Sequence, residues 1–211
     1  MSGPVIGVLL AGGKSARMGE DKAALVLPGA IDGETLGARA VRVLRAVCDD
    51  VVCAGHGRGV PEDVVRIPDA GGGPLVALVG ALAHALAADA LADAAWFVVL
   101  PVDMPGVDAA LLARLLALRA ASDGASHGAS HGARAVCFAV EGVLEPLPLV
   151  LAAEALAPLA SGVARGERRL GDAVRALAPA TIALAGEEAD LLQNLNTPAD
   201  LHAWPSRRAG G

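Results

Sequence analysis

The chain has 211 residues, more than half of them apolar, and a formal net charge of −6. That length gives one domain with room for a full core, and the acidic balance excludes a general nucleic-acid binder, which carries a basic excess. Aromatic residues make up only 2%, so the core is predicted to be built from Ala, Val and Leu.

Strand-like and helix-like segments alternate along the chain. Val5–Leu10 is a continuous apolar run of strand length. It has no Lys or Arg before it and runs straight into a glycine turn, unlike a signal peptide. Leu36–Val47 has helical spacing, with Arg39, Arg42 and Arg45 on a polar face. Asp50–Ala54 and Val64–Ile67 read as short strands. Pro74–Leu91 reads as an Ala/Leu helix opened by proline, which suits the first helical turn. Trp96–Leu100 is a strand, Asp108–Ala121 a helix and Ala135–Val140 a strand. Leu149–Leu159 and Gly166–Leu177 read as helices, and Thr181–Leu184 as a last short strand. The apolar stretch around Leu75–Leu100 is broken by His84, Asp89 and Asp93, too often for a membrane span. Near-continuous apolar strands alternating with helices predict a three-layer α/β/α fold around a mostly parallel sheet. Ligands of such sheets sit beyond the carboxyl ends of the strands.

Cys48, Cys53 and Cys137 are odd in number and lack Cys-x-x-Cys spacing. They read as free, mostly buried thiols, and a soluble cytoplasmic protein is expected. Residues 122–134 contain a tandem Gly-Ala-Ser-His duplication. Its His127 and His131 are expected in a surface loop with no zinc site. Residues 205–211 read as a disordered tail. Residues 1–204 are expected to form the single domain.

Four segments carry chemistry. The first is Gly7–Leu25, where Gly12 and Gly13 follow a strand and three cations follow them: Lys14, Arg17 and Lys22. A Walker A loop needs a glycine at Val8, and a dinucleotide fingerprint needs glycines that are absent here. The physical ingredients of anion binding remain, because glycines let main-chain N–H groups approach closely. The second is Trp96–Pro105, where Asp103 appears just after a buried strand. A carboxylate there suits Mg²⁺, or else serves as a turn residue. The third is Asp69 with Gly71–Gly73 before Pro74, either a ligand-binding turn or an ordinary strand-to-helix loop. The fourth is Asn194 and Asn196, which share one side of an extended chain. Thr197 follows as a helix N-cap, with Asp200 at the third helical position.

Together these segments resemble the molybdenum cofactor guanylyltransferases of the MobA type. The matching residues are Leu10-Ala11-Gly12-Gly13, Ser15, Arg17-Met18-Gly19, Asp21-Lys22, Asp69 and Gly73-Pro74-Leu75. Pro101-Val102-Asp103-Met104-Pro105, Gly166-Glu167-Arg168-Arg169 and Asn194-Leu195-Asn196-Thr197-Pro198 extend the match to the end of the folded part. The resemblance implies a nucleotide-diphospho-sugar-transferase-like fold. Its Rossmann-like nucleotide-binding half would span about 1–107, and its acceptor-binding half about 108–204. It implies transfer of GMP from Mg·GTP to the terminal phosphate of molybdopterin. Leu10, Ala11, Gly12, Gly13, Lys22, Asp69 and Asp103 would bind GTP, and Asp103 would also hold Mg²⁺. Arg17, Lys22 and Asp103 would carry catalysis. Arg168, Arg169, Asn194 and Asn196 are candidates for the pterin side; for the arginines, salt bridges with Glu167 or Asp172 are the competing account.

Other proteins of molybdenum cofactor biosynthesis, or acceptor proteins, are the further partners implied; neither nucleic acid nor membrane is. Two positions depart from the family pattern. Ala54 stands where an asparagine is frequent, and Val76-Ala77 where Ala-Gly is frequent. Both are expected in the region that holds the base. The alternatives are a nucleotidyltransferase using CTP or another phosphorylated acceptor, a P-loop NTPase, and a non-catalytic nucleotide-binding domain. Val8 counts against the P-loop, and the presence of Lys22 and Asp103 against the non-catalytic domain.

Overall fold

A computed structural model describes residues 3–12, 21–69, 71–88, 94–124 and 133–204. The expectations for Gly13, Lys14, Arg17, the Gly-Ala-Ser-His duplication with His127 and His131, and the tail 205–211 lie outside the described residues.

Seven strands form one sheet: β1 (Val5–Leu10), β2 (Asp50–Ala54), β3 (Val65–Ile67), β4 (Trp96–Pro101), β5 (Ala135–Val140), β6 (Val143–Ala152) and β7 (Ala180–Leu184). Six α-helices accompany them among the described residues: α1 (Leu36–Arg45), α2 (Pro74–Ala87), α3 (Ala109–Gly124), α4 (Leu156–Ala164), α5 (Leu170–Ala176) and α6 (Pro198–Ala203). The strand order is β3-β2-β1-β4-β6-β5-β7. β3, β2, β1 and β4 pair in parallel, as do β5 and β7, while β6 runs antiparallel to both its neighbours. The mostly parallel α/β/α sheet expected from the sequence is therefore the one observed.

Alternation along each strand builds two cores. From β1, Leu9 faces one side, and Ile6, Val8 and Leu10 face the other. In β4, Val98 and Leu100 join Leu9, while Phe97 and Val99 join Ile6. Residues of α1 and α3 and Trp204 fill the first core; α2, α4 and α5 fill the second. Each buried Leu or Val contributes about 1.5–3 kcal/mol, and small residues let the layers approach closely. A Cβ at Gly7 would lie 3.1 Å from Val51 and 3.2 Å from Leu44, so α1 rests almost directly on β1.

The segment around Leu149 corrects the sequence reading. Leu149–Ala152 is the end of β6, and helix α4 begins only at Leu156. The register explains why the strand was hidden. Cys137 pairs with Leu149 while Phe138 pairs with Glu145, so Pro146, Leu147 and Pro148 bulge out of the ladder. Proline is tolerated at a bulge because no ladder N–H is needed there.

The cysteines are free, with Cys53 and Cys137 buried and Cys48 half-buried. Burial pushes the Cys48 thiol up to about 12 and those of Cys53 and Cys137 to about 11, so none is a thiolate nucleophile near neutrality. No helix among the described residues is long and apolar enough to cross a membrane.

A second correction concerns Ala54 and Ala77. Both face the core formed with α2, at 1% and 8% relative exposure, rather than a ligand-binding surface. Ala54→Asn would bury an amide among Leu10, Ile67 and Leu75. It is expected to lower stability by about 1–3 kcal/mol, read from urea unfolding; an unchanged midpoint would contradict this placement.

Candidate functional site

The parallel half of the sheet ends on one level. Leu10 is in register with Ala54 on one side and with Pro101 on the other, and Ala54 with Ile67. The ladder then continues for one residue. Ala11 N donates to Ala54 O (3.0 Å), Gly55 N to Ile67 O (2.8 Å) and Val102 N to Leu10 O (3.1 Å). Beyond that line lie the turns that carry the site residues.

Lys22, Asp103 and Asn196 meet there. Lys22 Nζ donates to Asp103 Oδ2 at 2.7 Å and to Asn196 Oδ1 at 3.0 Å. Each partner is fixed by its own local structure. Lys22 opens a short 3-10 turn capped by Asp21, whose Oδ1 accepts from Ala23 N (3.0 Å) and whose Oδ2 accepts from Arg58 N (2.8 Å). That carboxylate ties the Lys22 turn to the loop after β2. Asp103 follows β4, and its main-chain oxygen accepts from Leu195 N at 2.8 Å. Two residues on, Pro105 O accepts from Arg39 Nε of α1 at 3.0 Å.

Asn196 is held by the start of α6. Thr197 and Asp200 form a capping box, and Asp200 Oδ2 accepts from Asn196 N (2.8 Å) and Thr197 N (2.7 Å). These bonds, the one from Asn196 first, hold the Asp200 carboxyl below the usual carboxylate range. The contribution is present above the ordinary pKa and is lost as pH falls through the depressed one. Leu195 is 1% exposed and faces the core between exposed Asn194 and Asn196, as the two-residue spacing predicts.

A second group gathers around the glycine-rich turn. Asp69 Oδ1 accepts from Gly71 N at 2.8 Å. Gly71, Gly72 and Gly73 all have φ between 78° and 103°, a region costly for residues with a Cβ. Asp69 Oδ2 leans over Gly12, where an added Cβ would lie 2.6 Å away. Main-chain Arg168 lies across the turn, 3.7 Å from the position of a Cβ on Gly73. Glu167 Oε1 accepts from the N–H groups of Arg168 and Arg169. Arg168 Nη1 donates to Val163 O and Glu167 O, whereas Asp172 pairs with Arg175. Among the described residues, neither arginine side chain forms the salt bridge with Glu167 or Asp172 that competed with a ligand role.

The arrangement offers a cation, a carboxylate and exposed main chain beyond four parallel strand ends. That suits a polyanion with an attached ring system. The MobA-like NTP transferase domain matches residues 7–181. The chain belongs to this family. It is accordingly a nucleotidyltransferase. An Opitutus terrae protein described as a "probable molybdenum cofactor guanylyltransferase" is 36% identical over 203 residues, covering 92% of this chain and 91% of that one. The fold is shared with the molybdopterin-guanine dinucleotide biosynthesis protein A of Archaeoglobus fulgidus (TM-score 0.66, 20% identity, 93% and 95% of the two chains). It is also shared with a Mycobacterium tuberculosis protein solved as a complex with manganese (TM-score 0.52, 20% identity, 91% and 99%).

Of the site residues expected from the sequence, Lys22, Asp103 and Asn196 are brought into contact. Gly12 and Asp69 form a neighbouring pair. Leu10 sends its side chain into the core, so only its main chain reaches this edge. Arg168 lies by the glycine turn, and no hydrogen bond or ion pair among the described residues joins that group to Lys22 and Asp103. The clamping roles of Asp21, Glu167 and Arg39 went unread. Asp21 was visible as part of the family motif; Arg39 looked like one of three solvent-facing arginines. Gly12→Ala is expected to displace Asp69 and weaken GTP binding about tenfold, or 1.4 kcal/mol, by calorimetry. Unchanged affinity would place the nucleotide elsewhere.

Proposed function

We propose that the protein transfers GMP from GTP to the terminal phosphate of molybdopterin, yielding the guanine dinucleotide form of the cofactor. The observation that carries this reading is the Lys22–Asp103–Asn196 contact at the strand ends, in a chain of this family. An acceptor phosphate oxygen attacks the α-phosphorus of GTP. The bond from that phosphorus to the bridging oxygen breaks, and pyrophosphate leaves with the electron pair. The attacking phosphate is already an anion, so no general base is required. The obstacle is the mutual repulsion of two anions, and catalysis is positioning with charge neutralisation.

Lys22 offsets charge on the transferred phosphoryl and on the departing pyrophosphate, assisted by Arg17. The glycine loop that begins at Gly12, beyond the last ladder bond of Ala11, would cradle the phosphates through its main-chain N–H groups. Asp69, leaning over Gly12, faces the nucleoside. Asn194 and Asn196, with Arg168 and Arg169, receive the acceptor, so residues 108–204 supply most of the acceptor half.

Asp103 is the residue that would hold Mg²⁺ or Mn²⁺. Among the described residues no group of three or more His, Cys, Asp or Glu could hold a metal. A single carboxylate nevertheless fits a hard cation that takes its other ligands from phosphate and water. When bound, such a cation supplies Lewis-acid stabilisation of phosphate charge. The reaction belongs in the cytoplasm, with other cofactor-synthesis or acceptor proteins receiving the product.

The test is incubation with molybdopterin and each Mg·NTP in turn, followed by mass analysis. The guanine dinucleotide and pyrophosphate are expected with GTP; better use of CTP would replace this reading with a cytidylyltransferase. Lys22→Ala and Asp103→Ala should each lower turnover about 10²–10³-fold at saturating GTP and metal, with melting close to the parent. Near-normal turnover in either variant would remove its assigned role.

A further inference from the structure

We propose that Lys22 makes divalent-metal binding at Asp103 conditional on the nucleotide. The inference rests on the reading of Asp103 as the metal carboxylate, and on nothing about the acceptor. The Lys22 ammonium lies 2.7 Å from Asp103 Oδ2, and the Asn196 amide oxygen braces it there at 3.0 Å. Both side chains are largely covered, at 17% and 21% exposure, so water screens their charges weakly. A dication on the same carboxylate would stand within a few ångströms of the ammonium and be repelled by it.

Among the described residues, no neighbouring acids gather with Asp103 into a ready-made metal-binding group. Asp21 and Asp200 lie close to Lys22 in the chain or in space, and main-chain N–H groups tie down both oxygens of Asp21 and the Oδ2 of Asp200. Asp103 is thus the one carboxylate in contact with Lys22 that is read as a metal ligand. Asp103 therefore satisfies one cation, and Lys22 holds that place.

A triphosphate changes the balance on both sides. Its anionic oxygens give the ammonium an alternative partner and give the metal additional hard ligands. Metal and nucleotide consequently bind with positive coupling, each favouring the other. The protein alone is a poor metal site, and the Lys22–Asp103 pair is a device that admits the cation only in company with phosphate.

The test uses the full chain and Mn²⁺ alone, without GTP or acceptor, following the free-ion electron paramagnetic resonance signal. Wild-type protein is expected to bind Mn²⁺ weakly. Lys22→Met should bind it at least about tenfold more tightly, the lower end of what one nearby like charge does to an ionic equilibrium. Lys22→Gln repeats the measurement should the methionine variant fold poorly by circular dichroism, and Lys22→Arg, which keeps the charge, should remain as weak as wild type. Adding Asp103→Asn to the neutral variant should abolish the gain. A gain below tenfold in the folded neutral variants, or a gain that survives Asp103→Asn, overturns the proposal. Because no nucleotide is present, that failure would leave guanylyl transfer standing. Loss of the guanylyl reading would equally leave the Mn²⁺ titration interpretable.

Discussion

An ammonium and a carboxylate 81 residues apart in the chain meet at 2.7 Å. The arrangement of the site follows from the constraint that brings them together. β1 and β4 are parallel neighbours with Leu10 level with Pro101. Lys22 enters from the 3-10 turn Lys22–Ala24, and Asp103 from the turn after β4. The pair is thus held by the sheet and does not hold it. Removing either member leaves both apolar cores intact, so the residues can be chosen for chemistry rather than for stability.

The surrounding structure fixes the pair with backbone contacts. Asp21 and Asp200 each accept two main-chain N–H bonds, one carboxylate locking the Lys22 turn and the other the Asn196 segment. The Asp103 turn is held from two sides, by Leu195 N and by Arg39. Burial completes the docking of the C-terminal segment: Leu192, Leu195 and Trp204 all enter the core with α1 and α3. A chain segment remote in sequence thereby becomes a fixed wall beside Lys22. Charge-assisted bonds to main chain are strong and directional, and they leave the functional side chains free of structural duty.

Much of this was legible in the sequence because strands and turns leave local marks. Val5–Leu10 and Trp96–Leu100 are unbroken apolar runs, and Gly12 and Asp103 follow them at once. Thr197 and Asp200 at capping-box spacing announced the start of α6. The failures have a common cause, since each depended on pairing or packing that residue types alone do not mark. Leu149–Ala152 reads as helical by apolar content alone, and only pairing with β5, across a bulge at 146–148, makes it the end of β6. Arg39 was read with Arg42 and Arg45 as one solvated face. Only the approach of Pro105 makes it a clamp. Ala54 was placed by motif position beside the base. The direction of its Cβ is set by the pleat of β2, and the pleat sends it into the core.

That last point bears on how such a site tolerates divergence. The groups at the strand ends are the main chain of Gly12, just past the last ladder bonds made by Ala11 and Gly55, together with Asp69. Main-chain donors and acceptors do not change when side chains do. What the geometry demands is a flush parallel register, glycine where Asp69 closes over the chain, positive φ from Gly71 to Gly73, and one cation facing one carboxylate. These requirements involve few residue identities. A chain sharing 36% identity with a relative over nearly its whole length has ample freedom to meet them around a core built largely from alanine, valine and leucine.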